Sequence, residues 1–229
     1  TTVEVSRVMA NIGGRRFGII DSPGINSLVP MSEDERVTRD ILLNEDIGSV
    51  LQVMDSKNLR RGLLITLQLS EMGLPVTVAL NMYDEAGERG IAIDTEELSK
   101  SIGLNIVPTI ATQRWNIDKL TDSFTHRKTP DFPVEYHPSI EEGIKKIGEL
   151  LPKARISVRS LAIMLLSNDS TLADWAAKNA PGASLRIEEI RSSIQARFKE
   201  PVGYVINSTR LRKVDAIVEK VVKQESFAG

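Results

Sequence analysis

The stretch Pro75-Val-Thr-Val-Ala-Leu-Asn-Met-Tyr-Asp84 constrains the fold of this chain more than any other. It is an apolar run of strand length, flanked by helix-period segments and polar only at its end. That is the pattern of a strand buried on both faces of a parallel sheet. Ligands of open α/β sheets bind outside the carboxyl ends of such strands. Asn81 and Asp84 stand at that end with an amide and a carboxylate. A carboxylate accepting two parallel N–H bonds matches the N1–H and 2-amino group of guanine and mismatches adenine, so the pair can select GTP over ATP. Taken alone, Asn-x-x-Asp also makes an ordinary turn or helix cap.

The flanking segments build a domain around that strand. Thr2 to Met9 alternates, with Val3, Val5 and, less cleanly, Val8 marking one face; Asn11-Ile-Gly-Gly14 is turn chemistry; Arg15 to Asp21 is a second strand, giving an antiparallel hairpin. Ser32-Glu-Asp-Glu35 is a capping box, opening a helix whose Val37, Ile41 and Leu42 form a stripe. Ile47 to Asp55 is a strand, and Asn58 caps a helix carrying Leu59, Leu63, Leu67 and Met72, ended by Gly73 and Pro75. Asp94 with Glu97 starts a helix to Ile102, Asn105 to Ile110 is a short strand, and Asn116 to Phe124 is a helix. Strands alternating with helices predict a three-layer α/β domain with a mostly parallel sheet over residues 1–128.

Composition then shifts. Residues 129–138 hold three prolines and form a linker. Beyond it no strand is expected. Helices are predicted over Ser139 to Leu151, Ile156 to Ser167, Thr171 to Lys178, Ser184 to Phe198 and Thr209 to Lys223, with Pro201 to Ile206 left open. The last helix places Leu211, Val214, Ile217, Val218, Val221 and Val222 on one face, so residues 139–229 form an all-α domain.

Whole-chain properties exclude several functions. The 229 residues contain no cysteine, which removes disulfide and thiolate-metal chemistry and agrees with a reducing compartment. The formal charge of −2 gives no field for nucleic acid. No run approaches the ~18 apolar residues of a membrane span. The chain opens on Thr, directly in a strand-like pattern, which points to a fragment.

Further motifs fall at strand ends. Asp21-Ser-Pro-Gly24 follows the second hairpin strand, where a GTPase keeps an Asp that reaches Mg2+ through water and a Gly whose N–H meets the γ-phosphate. Its plain alternative is a Pro-Gly turn. Thr2 precedes the first hairpin strand, where GTPases keep a Thr that closes over Mg2+ and the γ-phosphate. Thr109, Ile110 and Ala111 end the strand after Asn81-x-x-Asp84, where a backbone N–H can back the guanine. The order and spacing of the three signals favour GTP over a set of unrelated turns. His126 and His137 lack a second ligand at metal spacing and are expected on the surface or as caps. Glu96-Glu97 and Glu141-Glu142 suit first helical turns. Trp115 and Trp175 are expected as packing anchors. Arg210, Arg212 and Lys213 open the last helix, either as a solvated face or as a basic segment beside a membrane.

These residues also resemble a family. Thr2-Val-Glu4, Asp21-Ser-Pro-Gly-Ile-Asn-Ser-Leu28, Ser32 to Asp40, Met54-Asp-Ser-Lys-Asn-Leu-Arg-Arg61, Thr66-Leu-Gln-Leu69 and Ala79-Leu-Asn-Met-Tyr-Asp-Glu-Ala86 are similar to the ferrous iron transport protein B family. The resemblance implies a GTPase (G) domain, a helical domain described as an inhibitor of GDP dissociation, and a tether to a permease that moves Fe2+ across the bacterial inner membrane. It implies that this chain acts at the cytoplasmic face of that membrane, with GTP or GDP and Mg2+ as cofactors and possible homo-oligomers. Thr2 and Asp21 would serve Mg2+, Gly24 the γ-phosphate, Asn81 and Asp84 the guanine, and Met82 the base plane. Thr109 to Ala111 would back the base, with Ile110 in place of the usual Ser. Ile25 follows the Gly where Ras-like GTPases put a water-orienting Gln, implying slow hydrolysis.

One departure is large. No Gly-x-x-x-x-Gly-Lys-Ser/Thr occurs anywhere in the chain. In the family, the P-loop and its strand precede Thr2 and would lie between the strands Arg15 to Asp21 and Ile47 to Asp55. The expectation is a P-loop-GTPase-like fragment that binds GTP poorly by itself. The alternatives are a degenerate G domain serving as a scaffold and, more remotely, a soluble GTPase of ribosome or tRNA metabolism.

Overall fold

A computed structural model describes residues 5–30, 32–123 and 128–224. Strands β1 (Ser6–Ile12) and β2 (Arg15–Asp21) form the expected hairpin, in register from Ser6↔Asp21 to Ile12↔Arg15. Its two turn residues, Gly13 and Gly14, have φ of +56° and +77°, the left-handed pair a two-residue hairpin loop demands. Helix α1 (Glu33–Asn44) is capped as predicted, the Ser32 hydroxyl accepting from the Glu35 amide. Its buried face is shifted from the expected stripe: Glu35, Thr38, Arg39, Leu42 and Leu43 are buried, while Val37 and Ile41 are half-buried. The polar members face inward because each has a partner there.

Strand β3 (Val50–Asp55) leads through a 3-10 turn (Ser56–Asn58) into α2 (Leu59–Glu71). Asn58 occupies the cap position but makes no capping bond; its amide donates to Asp55 instead. Strand β4 (Val76–Asn81) is buried along its length, as the apolar run requires. Then come two elements the sequence reading did not contain, helix α3 (Tyr83–Glu88) and strand β5 (Ile91–Ile93). Helix α4 (Thr95–Ile102), capped by Asp94 on the Glu97 amide, strand β6 (Ile106–Pro108) and helix α5 (Ile117–Ser123) complete the first unit.

β3, β4 and β6 form a parallel sheet in that order, with Asp55 and Asn81 paired at its carboxyl edge. β2 hydrogen-bonds only to β1, and β3 only to β4, among the described residues. On β3, Leu51 and Val53 are 40% and 62% exposed; Val8, Met9 and Ile19 of the hairpin are exposed too. Among the described residues β2 and β3 thus each keep one edge of unpaired backbone N–H and C=O groups.

The second unit is helical: α6 (Pro138–Gly148), α7 (Val158–Leu166), α8 (Ser170–Asn179), α9 (Ser184–Gln195) and α10 (Val202–Val221). The open segment Pro201 to Ile206 is the start of α10, with Pro201 at the cap, where a missing N–H costs nothing. The expectation of no later strand is corrected. α10 runs into β7 (Val222–Gln224), which pairs antiparallel with β5 of the first unit, and the Asp94 amide donates to Val221. Its valines continue the helical periodicity, and only the partner strand selects extended backbone there.

The connection between the units is packed rather than free. Pro130, Phe132, Val134 and Tyr136 alternate inward, and the Asp131 amide donates to Ile102. One apolar cluster runs from Leu63 and Leu80 to Leu161 and Ile206, so both units share a core. Two buried polar ties cross between them. Arg39 of α1 binds Asp169 and Thr171 at the start of α8. Glu71 of α2 binds Arg210 of α10 and the Tyr136 hydroxyl. This corrects the reading of Arg210, Arg212 and Lys213: they lie in the middle of α10, and Arg210 is buried, while Arg212 and Lys213 remain exposed.

Candidate functional site

The carboxyl edge of the β3-β4-β6 sheet gathers the predicted base-reading residues. Asn81 ends β4, and its side-chain oxygen accepts from the Ala111 amide (3.0 Å) and the Thr109 hydroxyl (3.2 Å). The Asn81 amide therefore holds the loop after β6 against the end of β4. Backbone bonds reinforce the join: the Thr109 amide donates to Leu80, and the Tyr83 amide to Thr109. Ala111 opens a 3-10 turn, Ala111–Gln113, and Ile110 and Trp115 close it as an isolated antiparallel bridge. Asn116, with φ +59°, donates to the Pro108 carbonyl and fixes the far side.

Met82 adopts a left-handed conformation, φ +56°, so the chain turns sharply out of β4 into α3. That step sets Asp84 in the first turn of α3, and its half-buried carboxylate has no hydrogen bond or ion pair with any described residue. Glu85 beside it is engaged by Lys57. Burial works to raise the Asp55 carboxyl, but the Lys57 amide, the Asn58 amide and the Lys57 ammonium hold it below its ordinary value. Asp55 stays charged and occupied with its own turn.

Trp115, expected as a packing anchor, is 44% exposed. It stands between two residues of positive φ, Arg114 and Asn116, and stacks on Tyr83 with ring centroids 6.4 Å apart. Trp175 does pack against the core. His137 caps α6, accepting from the Ser139 amide; His126 lies outside the described residues.

The second predicted cluster follows β2. Asp21 and Gly24 are exposed, and the Asp21 carboxylate has no side-chain partner among the described residues. The loop after them is tied down from both neighbouring helices. Glu35 of α1 accepts from the Asn26 and Ser27 amides, and Gln68 of α2 accepts from the Leu28 amide at 2.7 Å. Thr38 donates to the Pro23 carbonyl. The sequence reading missed Glu35, Gln68 and Thr38; polar residues on an inward helical face are the signal that marks them. Thr2 lies outside the described residues.

The residues fit guanine and phosphate unequally. On the base side the loop after β6 is preset, its Thr109, Ile110 and Ala111 amides donating to Leu80, Trp115 and Asn81, and the Asp84 carboxylate is left unengaged among the described residues. On the phosphate side, Gly24 has an ordinary φ, and a Cβ there would meet nothing within 4 Å, so open space faces its backbone. The Gly-rich cradle and its Lys are not in this sequence. No group of three His, Cys, Asp or Glu side chains among the described residues could hold a metal ion, so Asp21 by itself is an incomplete Mg2+ site. No described helix is long and apolar enough to cross a membrane.

The chain is similar to known proteins along most of its length. A profile described as "Ferrous iron transport protein B" matches residues 1–124, and one for the "FeoB cytosolic helical domain" matches residues 136–223. A curated Fe(2+) transporter FeoB of Staphylococcus aureus (strain COL) is 32% identical over 215 residues, covering 89% of this chain and 30% of that protein. The chain thus spans less than a third of that relative's length. The solved cytosolic domain of L. pneumophila FeoB superposes with a TM-score of 0.83 at 27% identity, covering 97% of this chain and 87% of that one. The mGMPPNP-bound NFeoB from S. thermophilus gives 0.80 at 32% identity, covering 98% and 86%.

Proposed function

Since the chain belongs to the ferrous iron transport protein B family, we propose that it is the cytoplasmic guanine-nucleotide-binding regulatory module of a ferrous iron membrane transporter. The observation that carries this reading is the Asn81 amide locking the Thr109 to Ala111 loop while Asp84, three residues on, keeps a carboxylate with no described partner. Asp84 accepts from the guanine N1–H and 2-amino group, Met82 lies along the base plane, and the Ile110 and Ala111 backbone backs the base. Gly24 leaves its N–H open to the γ-phosphate, and Asp21 with Thr2 serves Mg2+. Mg2+, when bound, supplies charge neutralisation at the phosphates; this chain's own part is to orient the nucleotide and to hold the loop from Ser22 to Val29 ready for it.

The phosphate-holding half comes from elsewhere in the intact protein. A Gly-rich loop with its strand, N-terminal to Thr2, fits the unpaired edges of β2 and β3. Residues 1–128 are then the G domain, 129–138 the connection and 139–229 the helical domain leading to the permease at the cytoplasmic face of the inner membrane. The partners are GTP and GDP and that permease within the same polypeptide, but not nucleic acid. The intact parent hydrolyses GTP slowly, because Ile25 offers no polar side chain to orient water; the 229-residue chain alone neither binds GTP well nor hydrolyses it. The second reading, a non-catalytic scaffold, rests on the same missing cradle.

Asp84→Asn in the intact parent tests the proposal. Exchanging an acceptor for a donor lowers GDP affinity by at least about 100-fold and raises affinity for xanthosine diphosphate. Equal GDP affinity in the variant refutes the base-reading role. A parent that binds no guanine nucleotide favours the scaffold.

A further inference from the structure

The residues just outside the Asn81 to Asp84 motif carry an inference that the motif does not contain. The end of β3 and the two residues after it brace the base-reading loop. The Asp55 carboxylate accepts from the Lys57 amide (2.9 Å) and from Asn58 (2.9 Å), which stiffens the turn. The Ser56 hydroxyl donates to the Asn81 carbonyl at 2.6 Å. The Lys57 ammonium reaches Glu85 at 2.6 Å and the Met82 sulfur at 3.1 Å, with Asp55 at 3.5 Å. The Lys57 side chain is only 11% exposed, so it is laid against the loop rather than extended into solvent.

The loop needs such a brace. α3 has six residues, and a helix that short does not hold itself. Its N-terminus has no side-chain cap, and its cap residue, Met82, is a non-glycine in a strained left-handed conformation. Two acids, Asp84 and Glu85, sit side by side in the first turn. Either could compete for the donors of a bound guanine, and only one is in the motif.

We propose that Lys57 is a positioning residue for guanine recognition: it fixes the Met82 step and sequesters Glu85, leaving Asp84 as the one carboxylate presented to the base. The proposal rests on the guanine-binding reading above. Lys57 touches no reacting atom; it acts through Met82, Glu85 and the direction of α3.

The test compares GDP with inosine diphosphate, which lacks the 2-amino group that Asp84 would read, by competition against a fluorescent GDP analogue on the intact parent protein. Wild type should prefer GDP. Lys57→Ala should reduce that preference about tenfold or more, the scale of one hydrogen bond to a charged group, by weakening GDP further than inosine diphosphate, which keeps only the N1–H bond to Asp84. Lys57→Arg should restore it, and Glu85→Gln added to Lys57→Ala should recover part of the preference by removing the competing charge. Equal loss for both nucleotides in Lys57→Ala would mean general loosening and would overturn the proposal. An unchanged preference overturns the role of Lys57 alone, with guanine reading intact. A wild-type parent that shows no preference overturns both.

Discussion

Replacing Arg210 with Met removes the centre of the buried tie between the two units. In the native structure the Arg210 Nε donates to Glu71 Oε2 and to the Tyr136 hydroxyl, both at 3.0 Å, and Nη2 donates to Glu71 Oε2 at 2.5 Å. Tyr136 in turn donates to Glu71 Oε1, and the Arg159 guanidinium lies 5.6 Å over the Tyr136 ring. The Arg210 and Glu71 side chains are each 4% exposed. Burial opposes the Arg210 charge, but Glu71 and Tyr136 more than offset it and hold the guanidinium above its usual value. Methionine fills a similar volume, so the cost is electrostatic: Glu71 is left as a buried carboxylate with one neutral donor. Breaking one side of such a pair costs about 3–5 kcal/mol. In a chain of this size each kcal/mol moves the melting temperature by roughly 2–4 °C, so Arg210→Met should melt about 6–20 °C lower.

The control is the apolar pair. Glu71→Leu with Arg210→Met leaves no buried charge, and such replacements are often neutral or stabilising. Calorimetry at neutral pH on the two singles and the double therefore distinguishes a charge effect from a packing effect. The double should melt above Arg210→Met, with coupling of about 2 kcal/mol or more between the sites. A drop under ~2 °C for Arg210→Met, or a double equal to the sum of its singles, would refute the reasoning.

Three further outcomes are expected. Two short bonds from Arg159 to Glu141, together with the Tyr136 amide, hold the Glu141 carboxyl below its ordinary value against the effect of burial. Its stabilising contribution is whole above about pH 4.5 and is lost as pH falls through the lower folded value; Glu141→Gln should flatten that acid limb in a denaturant titration. Gly103→Ala should cost about 2 kcal/mol or more, because Gly103 has φ +67° and a Cβ there would lie 2.8 Å from the Asp131 Cβ and 3.0 Å from its backbone N; urea unfolding measures it. Trp115 emission should respond to GDP in a Trp175→Phe background of the intact parent, since Trp115 stacks on Tyr83 beside the base-reading loop while Trp175 packs in the core; a silent Trp115 would place the base elsewhere.

The sequence carried the sheet because apolar runs of strand length leave little choice, and it carried Asn81 because the run stops there. What it hid has physical reasons. α3 is short and uncapped, and it begins at a left-handed Met, so no local preference announces it. β7 is three residues that would continue α10 were β5 not there to pair with them. Trp115 was misplaced because an indole is usually worth burying, but two flanking positive-φ residues hold this one at the surface. Arg210 was hidden by its charge.

The spacing around Arg210 was nonetheless informative. Val202, Ile206, Arg210, Val214, Ile217 and Val221 follow one another at helical intervals, all buried, with a guanidinium in the middle of the stripe. α1 repeats the device, with Glu35, Thr38 and Arg39 on the same inward face as Leu42. In α2, Gln68 and Glu71 join Leu63 and Leu67 in the core. A charged or amide side chain in core register must find a partner, because an unpaired one is too costly to bury. Among the described buried side chains every polar atom does find one. The partners are informative: Glu35 and Gln68 hold the loop beyond Asp21 and Gly24, while Arg39 and Glu71 hold α8 and α10. The same two helices thus grip the phosphate-side loop with some core-register polar residues and the helical domain with others.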